Sequence, residues 1–223
     1  LSYCADSDGR FDITMGTAVQ LWDLRRAIIP SQDELREAAT HVDWRGVRVW
    51  EEGGRHFAQL TDPQAAVDVG GIAKGWIADK FTNALAEAGL ENFLINLGGN
   101  VVAHGEKPGG AAWNIGIRDP RNEGSIVGAV PLRNASAVTS GIYERCCEVD
   151  GTFYHHILSP ETGMPVETDA AGATVIADRS VDAEGYSTTL LALGTARGLA
   201  FAREHPAIRK AIFVTRNGDV LES

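Results

Sequence analysis

No apolar run reaches the length of about eighteen residues that a membrane-crossing helix needs, so a helical span is excluded. Cysteine is scarce. The three present, Cys4 and the adjacent Cys146 and Cys147, form neither a disulfide framework nor a paired CxxC zinc signature. Neighbours on a strand point to opposite faces, which predicts one buried and one exposed thiol for the vicinal pair. Positive charge is short as well: 20 basic residues face 30 acidic ones, a formal charge of −10. No Lys and Arg cluster is long enough to track a phosphate backbone, which excludes nucleic acid as a partner class. Internal repeats and low-complexity tracts are missing too, and the longest polar stretch, Gly105 to Gly110, is only loop-sized. The sequence opens at Leu1 with neither methionine nor a basic-then-apolar signal pattern, and a segment upstream is therefore expected to have been removed or left out.

What is present suffices for a core. At 223 residues and 44% hydrophobic, the chain can bury one sizeable core or two small lobes sharing an interface, and a single unit over 1–223 is expected. Ser31 followed by Glu34 is a capping box opening a helix through Ala39, with a short apolar face of Leu35, Ala38 and Ala39. A second helix is predicted from Ile72 to Ala88, where Ala73, Trp76, Ile77, Phe81, Ala84, Leu85 and Ala88 recur at helical spacing and Gly89 is the stop. Phe93 to Leu97 reads as a buried strand closed by Gly98 and Gly99, and Trp113, Ile115 and Ile117 as an alternating strand. Asp150-Gly151 between Cys146–Val149 and Thr152–Ile157 is a hairpin signal, because a tight primed turn needs positive φ at its centre. Further on, Ala173 to Ala177 is a strand, Ala183 to Leu193 and Thr195 to Glu204 are helices, and Lys210 to Val214 is the last strand, turned by Asn217-Gly218. Strands and helices mix without strict alternation, so the class is α+β (mixed α/β) and not doubly wound.

Three constellations could carry chemistry. In Asp68-Val69-Gly70-Gly71-Ile72-Ala73-Lys74-Gly75, a glycine turn enters a helix with a lysine in its first turn. Backbone N–H groups can approach an anion there and the lysine adds a point charge. The spacing is neither the Walker pattern nor the dinucleotide fingerprint, and it equally fits glycines that only permit close packing. The second joins Thr139-Ser140-Gly141 with Tyr154-His155-His156-Ile157-Leu158-Ser159-Pro160 and Thr162-Gly163. A histidine at a strand end beside a loop suits general base work, though at most one of the pair faces a given site and the other reading is a histidine simply bonded in place. No third ligand lies at zinc spacing near it. The third is Asp182-Ala183-Glu184-Gly185-Tyr186-Ser187-Thr188. Glu184 and Thr188, four apart, share a helix face as hard oxygen ligands suited to Mg2+, or as a surface carboxylate with a locally bonded threonine.

In order along the chain, these segments resemble the ApbE-type FAD:protein FMN transferase family. The resemblance is carried by Gly9-Arg10-Phe11-Asp12, Val67 to Gly75, Phe93 to Asn100, Trp113 to Pro120, Thr139-Ser140-Gly141, Tyr154 to Gly163 and Ala183 to Gly194, nearly the whole chain. It implies an ApbE-like fold of two intertwined lobes with the FAD and metal site between them. It further implies Mg2+-dependent transfer of FMN from FAD, the substrate, to a Ser or Thr hydroxyl of an acceptor protein, with release of AMP. By position, Glu184 and Thr188 match magnesium ligands, Gly71 matches a carbonyl donor to the same ion, and Ser187 sits beside them. Phe11, Asp12, Asp68, Lys74 and Leu158 match positions that line the FAD pocket, and His156 matches the base acting on the acceptor hydroxyl. Two departures stand out. Glu184 replaces the family's metal aspartate, adding a methylene that Mg2+ geometry must absorb. Members also carry a substantial N-terminal segment with further FAD contacts that has no counterpart before Gly9 here. Family members act outside the cytoplasm, often as membrane-tethered lipoproteins, and the resemblance implies the same setting for this chain.

Overall fold

The computed structural model describes residues 1–122 and 124–223. The elements run α1 (Ser2–Asp6), α2 (Gly16–Val19), α3 (Gln32–Thr40), β1 (Val47–Glu52), β2 (Arg55–Leu60), α4 (Ala73–Glu87) and β3 (Phe93–Leu97). They continue β4 (Asn100–His104), β5 (Trp113–Arg118), β6 (Ile126–Leu132), β7 (Ala135–Gly141), β8 (Cys146–Val149) and β9 (Thr152–His155). The last are β10 (Ala170–Ala177), α5 (Ser180–Glu204), β11 (Lys210–Thr215) and β12 (Val220–Glu222). The chain separates into two compact units, Leu1–Val69 with Glu144–Val166, and Gly70–Tyr143 with Glu167–Ser223.

The first unit is built from short pieces. The capping box forms as expected: Ser31 Oγ accepts the Glu34 N–H at 3.3 Å, and the Glu34 carboxylate accepts the Ser31 N–H at 2.8 Å. Leu35 and Ala38 of α3 are buried, and Ala38 packs with Met15, Ala18 and Leu158. The hairpin signal is equally direct, since Asp150 and Gly151 adopt φ of 50° and 76° and join β8 to β9. The second strand ends at His155, before Ile157. Cys146 and Cys147 do not divide into one buried and one exposed thiol. Both are half-buried, because β8 and β9 form a two-stranded ribbon in which neither face is fully covered. Burial still pushes the Cys146 thiol pKa up.

The second unit holds an antiparallel sheet in the order β12-β11-β10-β7-β4-β3. One face packs on the β5–β6 ladder through Ala103, Ile117, Leu132, Ala135, Ala137 and Ile176. Helix α5 covers the opposite face, against β10, β7, β11 and β4. The two-residue period therefore assigns Ala135 and Ala137 to the ladder side and leaves Ser136, Val138 and Ser140 to face α5. Strand β3 has the expected limits but is not a buried strand. It is the edge of the sheet, and Leu94 and Asn96 on its alternate face are exposed.

Helix α5 starts at Ser180, three residues before the expected position, and the two helices expected there run as one element interrupted at Gly194 (φ 75°). Positive φ is accessible to glycine at little cost, and Asp169 restarts the helix beyond it. The Asp169 carboxylate accepts the Thr195 N–H at 2.8 Å and also the Thr195 hydroxyl. That hydroxyl bond holds the Asp169 pKa below the usual carboxylate range.

Helix α4 has the expected extent, with Ile72 and Ala88 as its caps and Gly89 (φ 86°) beyond. Its apolar periodicity, however, does not mark its buried face. Trp76 and Phe81 are 55% and 53% exposed. The inward stripe is Gly75, Ala78, Asp79 and Thr82, at i, i+3, i+4 and i+7. A Cβ on Gly75 would lie 2.6 Å from the Ser180 carbonyl oxygen and 2.7 Å from Val181 Cα, so only a glycine admits this approach to α5.

Candidate functional site

Within the second unit, α4 and α5 bring their N-terminal turns together. The Glu184 carboxylate, 3% exposed, accepts the Lys74 ammonium on one oxygen and the Gly75 backbone N–H on the other. An uncapped helix start presents unsatisfied N–H groups and a positive dipole end, and α4 has no side-chain cap of its own. A buried carboxylate at that point is stabilised by a full charge and a backbone donor together. About one turn along from Glu184, the hydroxyls gather. Ser140 Oγ lies 2.8 Å from Ser187 Oγ and 3.1 Å from Thr188 Oγ1, and Ser187 Oγ donates to the Glu184 carbonyl at 3.0 Å. Gly71 lies in the turn immediately before α4.

This donor set is all oxygen: one carboxylate, three hydroxyls and nearby carbonyls. Such donors fit a hard divalent cation like Mg2+, which keeps water or substrate phosphate in its other positions, and not a soft one. Among the described residues no group of three or more His, Cys, Asp or Glu could hold a metal ion, so a cation here would depend on Glu184 as its one carboxylate. A carboxylate has about four lone-pair sites, of which Lys74 and Gly75 use two.

The candidates in the first unit are held by different means. Phe11 and Asp12 are 6% and 9% exposed. Asp12 Oδ1 accepts the Thr14 N–H at 2.8 Å and the Thr14 hydroxyl at 2.6 Å, while Oδ2 accepts the Trp44 N–H at 3.0 Å. Its carboxylate is engaged in fixing the 11–14 loop against residue 44. Asp68 donates its N–H to the Ile13 carbonyl at 2.8 Å. Leu158 is buried with Met15 and Ala18. His155 is buried, whereas His156 is half-exposed with Nδ1 3.2 Å from the Arg145 carbonyl oxygen. The two histidines thus differ in exposure, His156 lying just beyond the end of β9.

The sequence placed Gly75 and Ser140 within candidate segments without an individual role and did not single out Asp79 or Ser180, and all four shape the α4–α5 centre. The signal for Gly75 and Asp79 lay in the i, i+3, i+4, i+7 stripe of small and polar residues, which the louder apolar spacing masked. Ser140 was signalled by the strand period that puts it on one face with Ser136.

An antiparallel sheet with helices on one side and a two-stranded ladder on the other, with a buried carboxylate, its lysine partner and a group of hydroxyls at two meeting helix starts, defines an α+β protein with an oxygen-rich polar centre at the start of α5. The chain belongs to the ApbE family, whose profile matches residues 1–213. It is 39% identical to the FAD:protein FMN transferase of Treponema pallidum, over 96% of this chain and 63% of that protein. It is 36% identical to one from Klebsiella pneumoniae, over 97% of this chain and 66% of that protein. The crystal structure of the ApbE protein from Thermotoga maritima superposes with a TM-score of 0.87 at 29% identity, covering 100% of this chain and 72% of that one. The apo flavinyl transferase ApbE of Pseudomonas stutzeri gives 0.79 at 31% identity, covering 100% and 69%. The chain thus spans somewhat less than two thirds of the length of these curated relatives.

Proposed function

We propose that this chain transfers FMN from FAD to a Ser or Thr hydroxyl of an acceptor protein, releasing AMP, with Mg2+ at the α4–α5 centre. The observation that carries this reading is the Glu184 carboxylate buried between Lys74 and the Gly75 amide, with the hydroxyls of Ser187 and Thr188 on the same helix. The names of the relatives, FAD:protein FMN transferase, support it from a second side.

The FAD pyrophosphate would lie against the glycine turn, where the Lys74 ammonium and the positive dipole end of the helix start favour its charge. Glu184, Ser187, Thr188 and the Gly71 carbonyl would hold the cation. Bound there, Mg2+ would polarise the phosphoryl oxygens and offset charge building on the leaving AMP. Phe11, Asp12, Asp68 and Leu158 would contact the flavin; Asp12 would do so through the loop it fixes, since its oxygens already have partners. His156 takes the proton from the acceptor hydroxyl as that oxygen bonds to the FMN phosphorus and the bond to AMP breaks.

The test is incubation with FAD, Mg2+ and a peptide bearing a threonine, following AMP release and the flavin mass on the peptide. Peptide-bound FMN is the expected result. AMP with free FMN alone would make the chain a pyrophosphatase, and FAD binding with no AMP would make it a flavin-binding protein without catalysis. General base catalysis is worth about 10²–10⁴-fold, so His156→Ala should slow transfer by that factor and still bind FAD. Turnover at the parent rate would remove His156 from the mechanism.

A further inference from the structure

Neither α4 nor α5 caps its own start. Ile72 at the head of α4 and Arg179 at the head of α5 make no side-chain cap, so the first N–H groups of both helices need partners from elsewhere. Each helix supplies the other. Glu184 of α5 accepts the Gly75 N–H of α4, and Asp79 of α4 accepts the Ser180 N–H at 2.7 Å on Oδ1 and the Val181 N–H at 3.0 Å on Oδ2. Ser180 is pinned from its other side as well: its hydroxyl donates to the buried Asn100 Oδ1 at 2.7 Å and lies 3.0 Å from Ser136 Oγ.

The two caps differ in what they are free to do. Asp79 accepts a backbone N–H of the α5 start on each of its oxygens. Glu184, in the reading proposed above on which this step rests, must also meet a cation, and then it shares or surrenders its hold on Lys74 and Gly75. Whenever it does so, Asp79 is the link that keeps the two helix starts in register.

We propose that Asp79 is a positioning residue for Glu184: by capping the start of α5 from α4, it fixes where the Glu184 carboxylate stands relative to Lys74 and Gly75. Asp79 need not touch flavin, cation or acceptor to do this. An asparagine in its place keeps one acceptor oxygen but turns an NH2 group toward the second helix amide, leaving a donor facing a donor.

The test compares Asp79→Asn with Asp169→Asn, which removes the same kind of carboxylate-to-helix bond at the restart of α5 beyond Gly194. The first readout needs no ligand: amide hydrogen exchange at Gly75, referenced to the core amide of Leu190. In Asp79→Asn the Gly75 amide should exchange about tenfold faster than any change at Leu190 explains, and in Asp169→Asn the two should move together. The second readout is the factor by which Mg2+ tightens FAD binding, followed by flavin fluorescence. That factor should fall about tenfold in Asp79→Asn and hold in Asp169→Asn. A Gly75 amide in Asp79→Asn that only tracks Leu190 would overturn the proposal. If the parent protein shows no coupling of Mg2+ to FAD, the functional reading fails, and exchange at Gly75 alone decides the positioning role. Should Asp79→Asn not fold, Asp79→Glu, which keeps the charge and displaces it by one methylene, takes its place. Faster relative exchange at Gly75 in that variant supports the role, and parent-like exchange refutes it.

Discussion

Helices α4 and α5 lie side by side and obey opposite rules. Helix α4 has a regular apolar stripe and turns much of it to solvent, while its contact face is Gly75, Ala78, Asp79 and Thr82. Helix α5 has little amphipathic contrast and is buried nearly all round, between the sheet and α4, with Glu184 and Ser187 among its buried residues. Apolar spacing thus locates a helix without deciding which side it buries. Where two backbones must approach until a Cβ would not fit, small residues choose the face, and the polar groups brought inward must satisfy one another. Here they do so with helix-capping carboxylates, and the candidate site is one of those caps.

The contrast can be broken by substitution. The largest effect belongs to the core side of α5: Leu190, fully buried, should lose about 2–5 kcal/mol on Leu190→Ala, measured by urea unfolding. Next comes the contact of the helices. Gly75→Ala drives a methyl into the backbone at Ser180 and Val181, and should cost about 1–3 kcal/mol by the same measurement. A loss near zero would mean that α4 and α5 can part without penalty. Phe81→Ser, on the apolar but outward stripe of α4, should change stability by about 0.5 kcal/mol or less. A cost as large as that of Leu190→Ala would place this stripe in the core after all.

The smallest effect lies away from both helices and serves as their control. His41 Nδ1 lies 2.7 Å from Asp62 Oδ2, a bond that raises the His41 pKa above the usual imidazole range and holds the Asp62 pKa below the usual carboxylate range. The raised histidine contributes stability that is complete below its unfolded pKa and is lost as pH rises through its folded one. The lowered aspartate contributes above its unfolded pKa and loses that as pH falls through its folded one. The pair is therefore fully effective between about pH 4 and 6.5. Unfolding midpoints at pH 5.5 and 8.5, for the parent and His41→Asn, should show a decline with rising pH that the variant lacks. An equal decline in both would assign it to other groups.

Much of this was legible in the sequence, for identifiable reasons. The Ser31–Glu34 box, the Asp150-Gly151 turn and the limits of α4 and β3 rest on local chemistry, and local chemistry is written in consecutive residues. Glu184 and Thr188 were legible as a pair because their spacing puts them on one helix face, and Ser187 joined them only through the family resemblance. The β1–β2 hairpin and strands β4, β6, β7 and β12 were not named: β7 becomes a central strand only through β4 and β10, far along the chain, whereas Gly53-Gly54, which closes β1–β2, is a local turn signal that went unused. The exposure of β3 followed from its place at the sheet edge, which five apolar or amide residues do not disclose. Least legible was the Lys74–Glu184 pairing, which spans 110 positions and depends on Gly75 letting two helices meet.

The most direct test of the account is a titration of FAD into the protein with Mg2+ or with EDTA, followed by flavin fluorescence, for the parent and for Glu184→Gln. The amide keeps the size and one acceptor oxygen while removing the charge that a hard cation needs. Mg2+ should tighten FAD binding in the parent and have little effect in Glu184→Gln, with binding in EDTA changed far less. The same Mg2+ response in both proteins would contradict the account and put the cation somewhere other than the start of α5.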